Sequence, residues 1–560
     1  MTNFVLPPGF IFIFTAIMLP FIPARFRHAL LLLVPCLALG LLLITPADAS
    51  VTFRLLDLPI ALYKPSAYSL IFAVIFLIMA FAGHLYALRQ ASTLELSAAN
   101  LYIGAALGVV FAGDWLSVFI FWELMAIGST LIVWASVQNN ARRAGLRYLL
   151  IHLLGGVLLM AGIAALVANG QSTELKPLKL DSLSSALILA GLLVNVGAPP
   201  FSAWIPDAYP EASPSGSVYL SAYTTKTAVY VLLVVFPGTE LLIYVGLFMI
   251  FYGIIYALLE NDMRRILAYS IVNQVGFMVT GIGLGSPLAL NGVAAHAFAH
   301  IIYKALLFMS AGSVLFQTGK RKCTDLGGLY HSMPKTAACG IIGALAISAF
   351  PLTSGFVTKS MITEATHFPH LAWIGYLLTA ATAGVFLHAG IKFPWFVFFQ
   401  KDSGLRPAEP PWNMRYAMYL FAFLCLALGI YPDPLYSLLK QPVDYQPYVL
   451  AHVVSQTQLL LFSGLAFFLL LPFLKRTLTI TLDLDWFYRV LMPALARRSL
   501  QVYRRGRDYL AYQQLSTRTL WRPLSELFEK LARRNRSVAG MLWWTLVVFS
   551  AVLLMFHVVS

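Results

Sequence analysis

The chain alternates between long apolar runs and short polar stretches over most of its length. An α-helix needs roughly 20 apolar residues to cross a bilayer core of about 30 Å, and sixteen runs approach that length. The pattern therefore predicts an all-α polytopic membrane protein with about 14–16 transmembrane helices. The predicted spans are Phe4–Ile22, His28–Ile44, Ala67–Leu88, Ala99–Ala112, Trp115–Trp134, Tyr148–Val167, Leu183–Trp204, Ser217–Phe236, Leu241–Leu259, Ile266–Leu284, Leu290–Leu315, Thr336–Ile362, Leu371–Phe399, Tyr416–Ile430, Gln456–Leu474 and Gly540–His557. The fourth and the fourteenth are short for a bilayer.

Two predicted spans contain prolines in their interior. Pro199 and Pro200 lie in the seventh span, and Pro351 lies in the twelfth. Proline removes a backbone donor and clashes with the preceding turn, and a break at membrane depth survives only inside protein or beside a hydrated cavity. Ser202 and Ser354 also follow Pro199 and Pro351 at the same offset. Because the two spans are an odd number apart, the sequence predicts two inverted five-helix repeats with discontinuous helices; ordinary proline kinks are the alternative.

Composition and charge support this topology. Only 11% of the residues are charged, against about 25% in soluble domains. Of the 38 lysines and arginines, 29 fall in alternate loops, 5 fall in the remaining loops and four lie within spans. Cytoplasmic loops carry such an excess, so the basic loops are expected in the cytoplasm and both termini on the outer face of a cell inner membrane. The net charge of +15 follows from topology and indicates no nucleic-acid partner.

The chain divides into six predicted segments. They are N-terminal transmembrane helices (1–92), a first five-helix repeat (93–238), a second, inverted repeat (239–400), C-terminal transmembrane helices (401–475), a basic amphipathic cytoplasmic segment (476–539) and a final transmembrane helix (540–560). Around Leu500–Leu531, arginines alternate with aromatic and leucine side chains. This composition favours an amphipathic helix on the membrane surface; a solvated charged linker is the alternative.

Ionisable residues recur inside the predicted spans. His296, His300 and Lys304 are four residues apart, so a helix places them on one face. The other members of the set are Glu123, Lys226, Lys359, His388 and Lys392. Such groups are costly in a bilayer core and usually serve a pathway or an internal pair, and histidine already titrates near neutral pH. The set predicts a proton relay. For a single Glu or Lys the alternative is an interhelical lock, and Lys359 or Lys392 would alternatively reach a span end.

Cofactor and metal chemistry find no support in the residues. The four cysteines show no paired spacing, and there is no Gly-rich phosphate loop, haem motif or Fe–S cysteine set. We therefore expect no cofactor, no metal site and no catalytic site within the chain itself. His84 and His152 are interpreted as core histidines outside the relay.

Taken together and in order, several motifs resemble those of a known family. They are Trp122-Glu123-Leu124-Met125, Trp204-Ile205-Pro206-Asp207-Ala208, Thr225-Lys226-Thr227-Ala228-Val229-Tyr230, the His296, His300 and Lys304 row, and Ser354-Gly355-Phe356-Val357-Thr358-Lys359. Over about Ile71–Ile430 the chain resembles the antiporter-like membrane subunits shared by Mrp-type multisubunit Na⁺/H⁺ antiporters and respiratory complex I. Among these, the D-type component of Mrp antiporters fits best.

The resemblance implies two inverted five-helix units, each with a proton half-channel, joined along the bilayer midplane. It implies that Glu123 pairs with a lysine, that Lys226, His300 and Lys304 relay protons, and that Lys359 serves the second half-channel. Family members usually carry a lysine just before the first proline break, where this chain has Asn195. Either Lys226 takes that role, or the first half-channel is altered.

These observations predict a membrane subunit of a monovalent cation (Na⁺)/proton antiporter. Its expected partners are other membrane subunits, protons, Na⁺ and the lipid bilayer. Three alternatives remain open: a proton-pumping membrane-arm subunit of a complex I-like NADH/quinone or hydrogenase complex, the membrane partner of an inorganic-carbon uptake complex, and a structural scaffold whose charged residues only lock helices together.

Overall fold

The computed structural model describes residues 6–46, 48–55, 58–472, 483–484 and 486–513, which belong to two compact units, Met1–Asp483 and Leu484–Ser560. The first unit begins with α1 (Pro8–Met18), α2 (Ala24–Ile44), the antiparallel strands β1 (Val51–Leu55) and β2 (Leu58–Tyr63), and α3 (Ser69–Ala87). The all-α prediction is correct for the bundle but omits this two-stranded hairpin. Its short strands lie between apolar spans and carry too few residues to show a clear period.

Two series of five elements follow on a common plan. The first contains α4 (Thr93–Phe111), α5 (Trp115–Trp134), α6 (Ala141–Ala168), α7 (Leu183–Val196) with α8 (Trp204–Ala208), and α9 (Pro214–Leu220) with α10 (Thr224–Val235). The second contains α11 (Leu241–Leu259), α12 (Met263–Leu284), α13 (Pro287–Thr318), α14 (Pro334–Ile347) with α15 (Ser354–Glu364), and α16 (Ala372–Val385) continued by π-helical turns at Phe386–Lys392 and Trp395–Phe399. The series start five crossings apart, so they run in opposite directions, as predicted.

The third element of each series is its longest helix, and the fourth is interrupted. Helices α6 and α13 have 28 and 32 residues, whereas α7 and α14 both stop after 14. Gly197 ends α7 with φ +82°. In the second break Ala349 and Leu352 adopt φ of 55° and 68°, which is unfavourable for residues with a Cβ. The interruptions predicted at Pro199, Pro200 and Pro351 are thus present.

The fifth element of the first series is also interrupted, which the sequence did not reveal. Helix α9 ends at Leu220 and α10 begins at Thr224, and no proline lies between them. The equivalent element of the second series carries the π-helical turns that contain Lys392. In both series the fifth element is therefore irregular near a lysine.

The C-terminal part adds α17 (Trp412–Ile430), the short α18 (Asp433–Tyr436) and α19 (Leu450–Leu470). Of the second unit, the structure describes a π-helical turn at Phe487–Leu491 and α20 (Met492–Gln513), a polar, amphipathic helix. Helix α20 lies within the predicted amphipathic segment, which stays a prediction. The rest of that segment and the span Gly540–His557 lie outside the described residues, and the six predicted segment boundaries stay predictions.

Twelve helices of the described part are long and apolar enough to cross a membrane, and three shorter apolar helices accompany them. The two spans that were predicted to be short are full-length. Helix α4 begins at Thr93, because the Ser92 side chain caps it by accepting from the Glu95 N–H, and α17 begins at Trp412. Each has 19 residues, or about 28 Å at 1.5 Å per residue.

The core lies along α12 and α13. Every residue in the most apolar stretch of these two helices is buried, compared with 28% in α2 and 17% in α19. Helices at the edge of a bundle turn most of their surface to lipid, whereas ionisable side chains of spans usually face the bundle interior. The buried α12–α13 pair is therefore where a polar row is best shielded.

Candidate functional site: a buried row of ionisable side chains

Helix α13 carries the three side chains that the sequence places on one face. His296, His300 and Lys304 are fully buried. Lys304 donates from Nζ to Ser270 Oγ on α12 at 2.8 Å, and His296 Nδ1 lies 3.3 Å from Thr358 Oγ1 on α15. Neither ring nitrogen of His300 has a hydrogen-bond partner among the described residues. The row joins three elements of the second series and leaves its central histidine able to bind a proton.

Two further polar side chains extend this row, and sequence reasoning missed both. The Tyr303 hydroxyl donates to Gln274 Oε1 at 3.2 Å and lies 3.4 Å from His296 Nε2. Both residues are completely buried. The i, i+7 spacing of His296 and Tyr303 would have placed the tyrosine on the same helix face, but tyrosine in an apolar run is usually a packing residue.

Lys226 and Lys359 approach the row from interrupted elements. Lys226 Nζ donates to the carbonyl oxygen of Ser221 at 2.6 Å, just after α9 ends, and Lys359 Nζ donates to that of Ile347 at 3.0 Å, at the last residue of α14. The carboxyl end of a helix carries partial negative charge, so each amine lies where a positive charge is favoured. Both lysines are also within electrostatic range of His300.

Lys392 caps a third helix end more completely. Its Nζ donates to the carbonyl oxygens of Ala257, Leu258 and Glu260 at 3.0, 2.6 and 2.6 Å. These oxygens are at or just beyond the carboxyl end of α11. All three N–H bonds of a lysine ammonium are therefore used, and because the contact is at the end of a neighbouring span, the alternative that Lys392 reaches a span end stays open.

His388 lies one turn before Lys392 in the same π-helical segment. It is fully buried, and its Nδ1 lies 2.9 Å from the carbonyl oxygen of Gly384, which it meets as a donor. Its Nε2 has no hydrogen-bond partner among the described residues. His388 thus lies in the fifth element of the second series, and one of its ring nitrogens has no partner there.

None of these four lysines has a carboxylate partner in the described part of the chain. The ion pairs found there are Lys64–Glu174, Arg147–Asp207, Arg265–Glu260, Arg321 with Glu211 and Asp262, His367–Glu364 and Arg406–Asp402. A buried charge without a counter-ion is strongly destabilising. Locking of helices by ion pairs therefore does not account for the four lysines.

Glu123 lies on α5 against helix α6. Its Oε1 is buried and has no hydrogen-bond partner among the described residues. A Cβ at Gly156 would stand only 1.9 Å from that oxygen, so the absence of a side chain there allows the carboxyl to approach α6. Asn195 does not contact Glu123; its Oδ1 lies 2.8 Å from His152 Nδ1. The lysine partner that the resemblance implies for Glu123 is absent from its surroundings in the described residues.

The comparisons with known proteins concern the family and the fold of the chain. The family described as "NADH:quinone oxidoreductase/Mrp antiporter, TM" matches residues 112–386. A probable K⁺/H⁺ antiporter A/B subunit of Rhizobium meliloti is 32% identical over 358 residues, covering 59% of this chain and 36% of the relative. The N subunit of NADH-quinone oxidoreductase of Desulforudis audaxviator is 31% identical over 277 residues, covering 45% and 54%. The chain is similar to this family of antiporter-like membrane subunits, whose model covers just under half of its length.

Solved structures show the same fold. A chain of the Mrp complex from a Dietzia species superimposes with a TM-score of 0.76 at 22% identity, covering 99% of this chain and 63% of that one. A chain of respiratory complex I from Thermus thermophilus gives a TM-score of 0.69 at 21% identity, covering 82% and 100%. This antiporter-like protein spans 36% and 54% of the lengths of the two relatives above. The finer assignment to the D type of Mrp component stays a prediction.

Proposed function

We propose that this antiporter-like protein carries protons within a multisubunit monovalent cation/proton antiporter. The proton path runs from Glu123 past Lys226 to the α13 row and on to Lys359, and Lys392 and His388 lie at its far end. Other membrane subunits complete the assembly, and Na⁺ or another monovalent cation moves in exchange.

The observation that carries this proposal is the burial of lysines without counter-ions. Lys226, Lys304 and Lys359 are at most 2% exposed. Their polar partners in the described residues are hydroxyl and carbonyl oxygens, not carboxylates. Ionisable groups in such surroundings mark ion or proton pathways in membrane proteins. The three lysines lie within electrostatic range of His300, whose two ring nitrogens have no hydrogen-bond partner among the described residues, and together these groups support a chain along which a proton can pass.

The test is cation-driven proton transport in vesicles that contain the assembled complex. Lys304→Gln keeps a polar side chain that can bond Ser270 but cannot take up a proton, and we expect it to abolish transport. Lys320→Ala, an exposed lysine just beyond the end of α13, is the matched control and should leave transport intact. Transport that survives Lys304→Gln in a fully assembled complex would contradict the proposal.

A second candidate is a proton-pumping membrane-arm component of a complex I-like oxidoreductase. It is favoured by the relative named as the N subunit of NADH-quinone oxidoreductase and by the likeness to a chain of complex I. The same relay would serve both functions, so mutations of the relay do not separate them. Purification of the native complex separates the two functions. Flavin or Fe–S subunits in the complex would support the oxidoreductase. Their absence from a complex that exchanges cations for protons would support the antiporter.

We further propose that the complex resides in a cell inner membrane with the basic loops in the cytoplasm. The uneven distribution of lysines and arginines between alternate loops supports this orientation. Single cysteines at Lys320 and Lys440, which the prediction places on opposite faces, would test it. Labelling by a membrane-impermeant thiol reagent from outside should reach position 440 alone, in a chain whose own exposed Cys36 has been replaced.

A further inference from the structure

A second buried row lies on α6, the counterpart of α13 in the first series. Tyr148, His152 and Gly156 follow one another at four-residue spacing, so they occupy one face of that helix. The spacing equals that of His296, His300 and Lys304 on α13. Gly156 has no side chain, and the carboxyl of Glu123 from α5 occupies the space beside it. The carboxyl is therefore the third polar group of the row. Hydroxyl, imidazole and carboxyl groups thus lie one after another along α6.

His152 is the centre of this row, and its surroundings leave one nitrogen open. The residue is 1% exposed. Its Nδ1 lies 2.8 Å from Asn195 Oδ1, whereas its Nε2 has no hydrogen-bond partner among the described residues. With an amide oxygen as acceptor, Nδ1 carries the hydrogen and Nε2 holds the lone pair. The open Nε2 leaves this ring able to take up a proton; what distinguishes it from other buried histidines is its place on α6 between the Glu123 carboxyl and the Tyr148 hydroxyl.

The ring of His152 is held firmly while that nitrogen stays open. Its centroid lies 4.1 Å from that of Tyr148 and 4.6 Å from that of Trp204. The Tyr148 hydroxyl donates to Ser129 Oγ at 2.9 Å and lies 3.3 Å from Thr224 Oγ1. Aromatic packing on two sides and the bond to Asn195 therefore fix the ring orientation, as expected for a group that must meet a proton donor repeatedly.

The row also leads towards the rest of the relay. Thr224 is the first residue of α10, and Lys226 follows two residues later with its Nζ 3.1 Å from Thr225 Oγ1. At the opposite end, Gly156 and the carboxyl of Glu123 lie one helical turn beyond His152, about 6 Å along the axis. His152 therefore lies on α6 between the Glu123 carboxyl and the Tyr148 and Thr224 hydroxyls, which precede the first relay lysine.

We propose that His152 carries protons between Glu123 and the Lys226 side of the first half-channel. Nε2 takes up a proton from the side of the Glu123 carboxyl, which makes the ring an imidazolium. Nε2 then releases a proton to the Tyr148 hydroxyl oxygen, which gives its own hydrogen on towards Thr224 Oγ1, and the ring returns to its neutral form. Asn195 is a positioning residue, because its oxygen keeps the hydrogen on Nδ1. The inference rests on the proposed proton transport.

The test compares two buried histidines in the assembled, reconstituted complex. His152→Gln retains an amide that can bond Asn195 but cannot carry a proton, and proton transport should fall at least about tenfold. His84→Gln is the matched control, because His84 is also fully buried, with Nδ1 2.8 Å from the Tyr219 hydroxyl and an unpartnered Nε2 among the described residues. It should retain transport within about twofold. Equal losses in the two variants, or none in His152→Gln, would overturn the inference.

A rescue experiment distinguishes proton carriage from packing. Adding Asn195→Lys to His152→Gln returns a protonatable group to the site, and transport should recover to a substantial fraction of its original rate. No recovery in a double variant that assembles normally would assign His152 a packing role and refute the proposal. If His152→Gln does not assemble, Tyr148→Phe decides, because it keeps the ring stack and removes only the hydroxyl. Transport unchanged in Tyr148→Phe would refute the route.

The outcomes also separate this inference from the proposed function. Loss of transport in Lys304→Gln with normal transport in His152→Gln would remove only the role of His152. A wild-type complex that moves no protons, or one that tolerates Lys304→Gln, would remove the proposed function itself.

Discussion

Gly156→Ala tests the position of the Glu123 carboxyl without changing the carboxyl itself. The added Cβ would lie 1.9 Å from Glu123 Oε1. To reach an ordinary contact distance the oxygen must move by about 1.5 Å. The oxygen is the far end of a flexible side chain, and alanine favours a helix by up to about 1 kcal/mol over glycine. The variant should therefore fold, and it should hold the carboxyl away from α6.

A displacement of about 1 Å at a reacting group can cost around a hundredfold in rate. We therefore expect Gly156→Ala to lower proton transport by about 10–100-fold, with a melting temperature equal to or above that of the parent complex. The assay is cation-driven proton uptake into vesicles, corrected for the amount of complex. Gly40→Ala is the control, because Gly40 is a helical glycine of α2 with no neighbouring atom within 4 Å of the added Cβ.

One combination of results would refute a role for the contact between Glu123 and Gly156. If Gly156→Ala transports protons at the parent rate while Glu123→Gln does not, the carboxyl acts from a place that the contact with α6 does not determine. The close approach to Gly156 would then be a packing detail, and the α6 row would lose its first member.

Three further predictions concern the lysines. Lys359→Met should abolish proton transport with little change in melting temperature, because only the Ile347 carbonyl loses its donor. Lys392→Met should lower the melting temperature clearly, because three carbonyls lose theirs and each unpaired buried acceptor costs about 1–3 kcal/mol. The Lys64 ammonium bonds the Glu174 carboxylate and holds the pKa of Glu174 below its usual value. The stability that this ion pair contributes is present above the unfolded-state pKa of Glu174 and is lost as pH falls through its lower, folded-state pKa. Both side chains are about half exposed. Glu174→Gln should therefore change the free energy of unfolding by less than about 1 kcal/mol and leave transport intact.

Thermal unfolding of the purified complex measures the first two, and urea unfolding between neutral and acidic pH measures the third. Equal melting shifts for Lys359→Met and Lys392→Met would contradict the difference in their hydrogen bonding. A loss of transport in Glu174→Gln would mean that the surface pair influences the path.

The features that depend on local composition were predictable from the sequence. Apolar runs of membrane length and the uneven distribution of basic loops gave the helical class, and the two proline stretches marked the interruptions in α7–α8 and α14–α15. The break between α9 and α10 was not predictable in this way. It occurs without proline, where the Thr224 N–H donates to the Tyr102 hydroxyl on α4 and Lys226 donates to the Ser221 carbonyl. A tertiary contact such as the bond to Tyr102 leaves no periodic signal in the sequence.

The candidate site likewise contains features that local sequence predicts and features that depend on contacts between distant residues. The spacing of His296, His300 and Lys304 was sufficient to place them on one face, because helical geometry relates these positions directly. Nothing local indicated that Asn195 would meet His152, because the two lie on different helices and 43 residues apart. The interpretation of His152 as a core histidine outside the relay stays a prediction, to which the proposed proton carriage is the alternative. The open nitrogen of His152 is visible only once α5, α6 and α7 are brought together.

The lysines at helix ends differ in how many hydrogens they can spare. A neutral amine retains two N–H bonds, so Lys359, with one carbonyl, and Lys226, with a carbonyl and a hydroxyl, could each give up a proton and keep every contact. Lys392 uses three hydrogens on three carbonyls, and deprotonation would force it to drop one. A proton leaving there must loosen the end of α11, so discharge at this residue would be mechanically linked to movement of that helix.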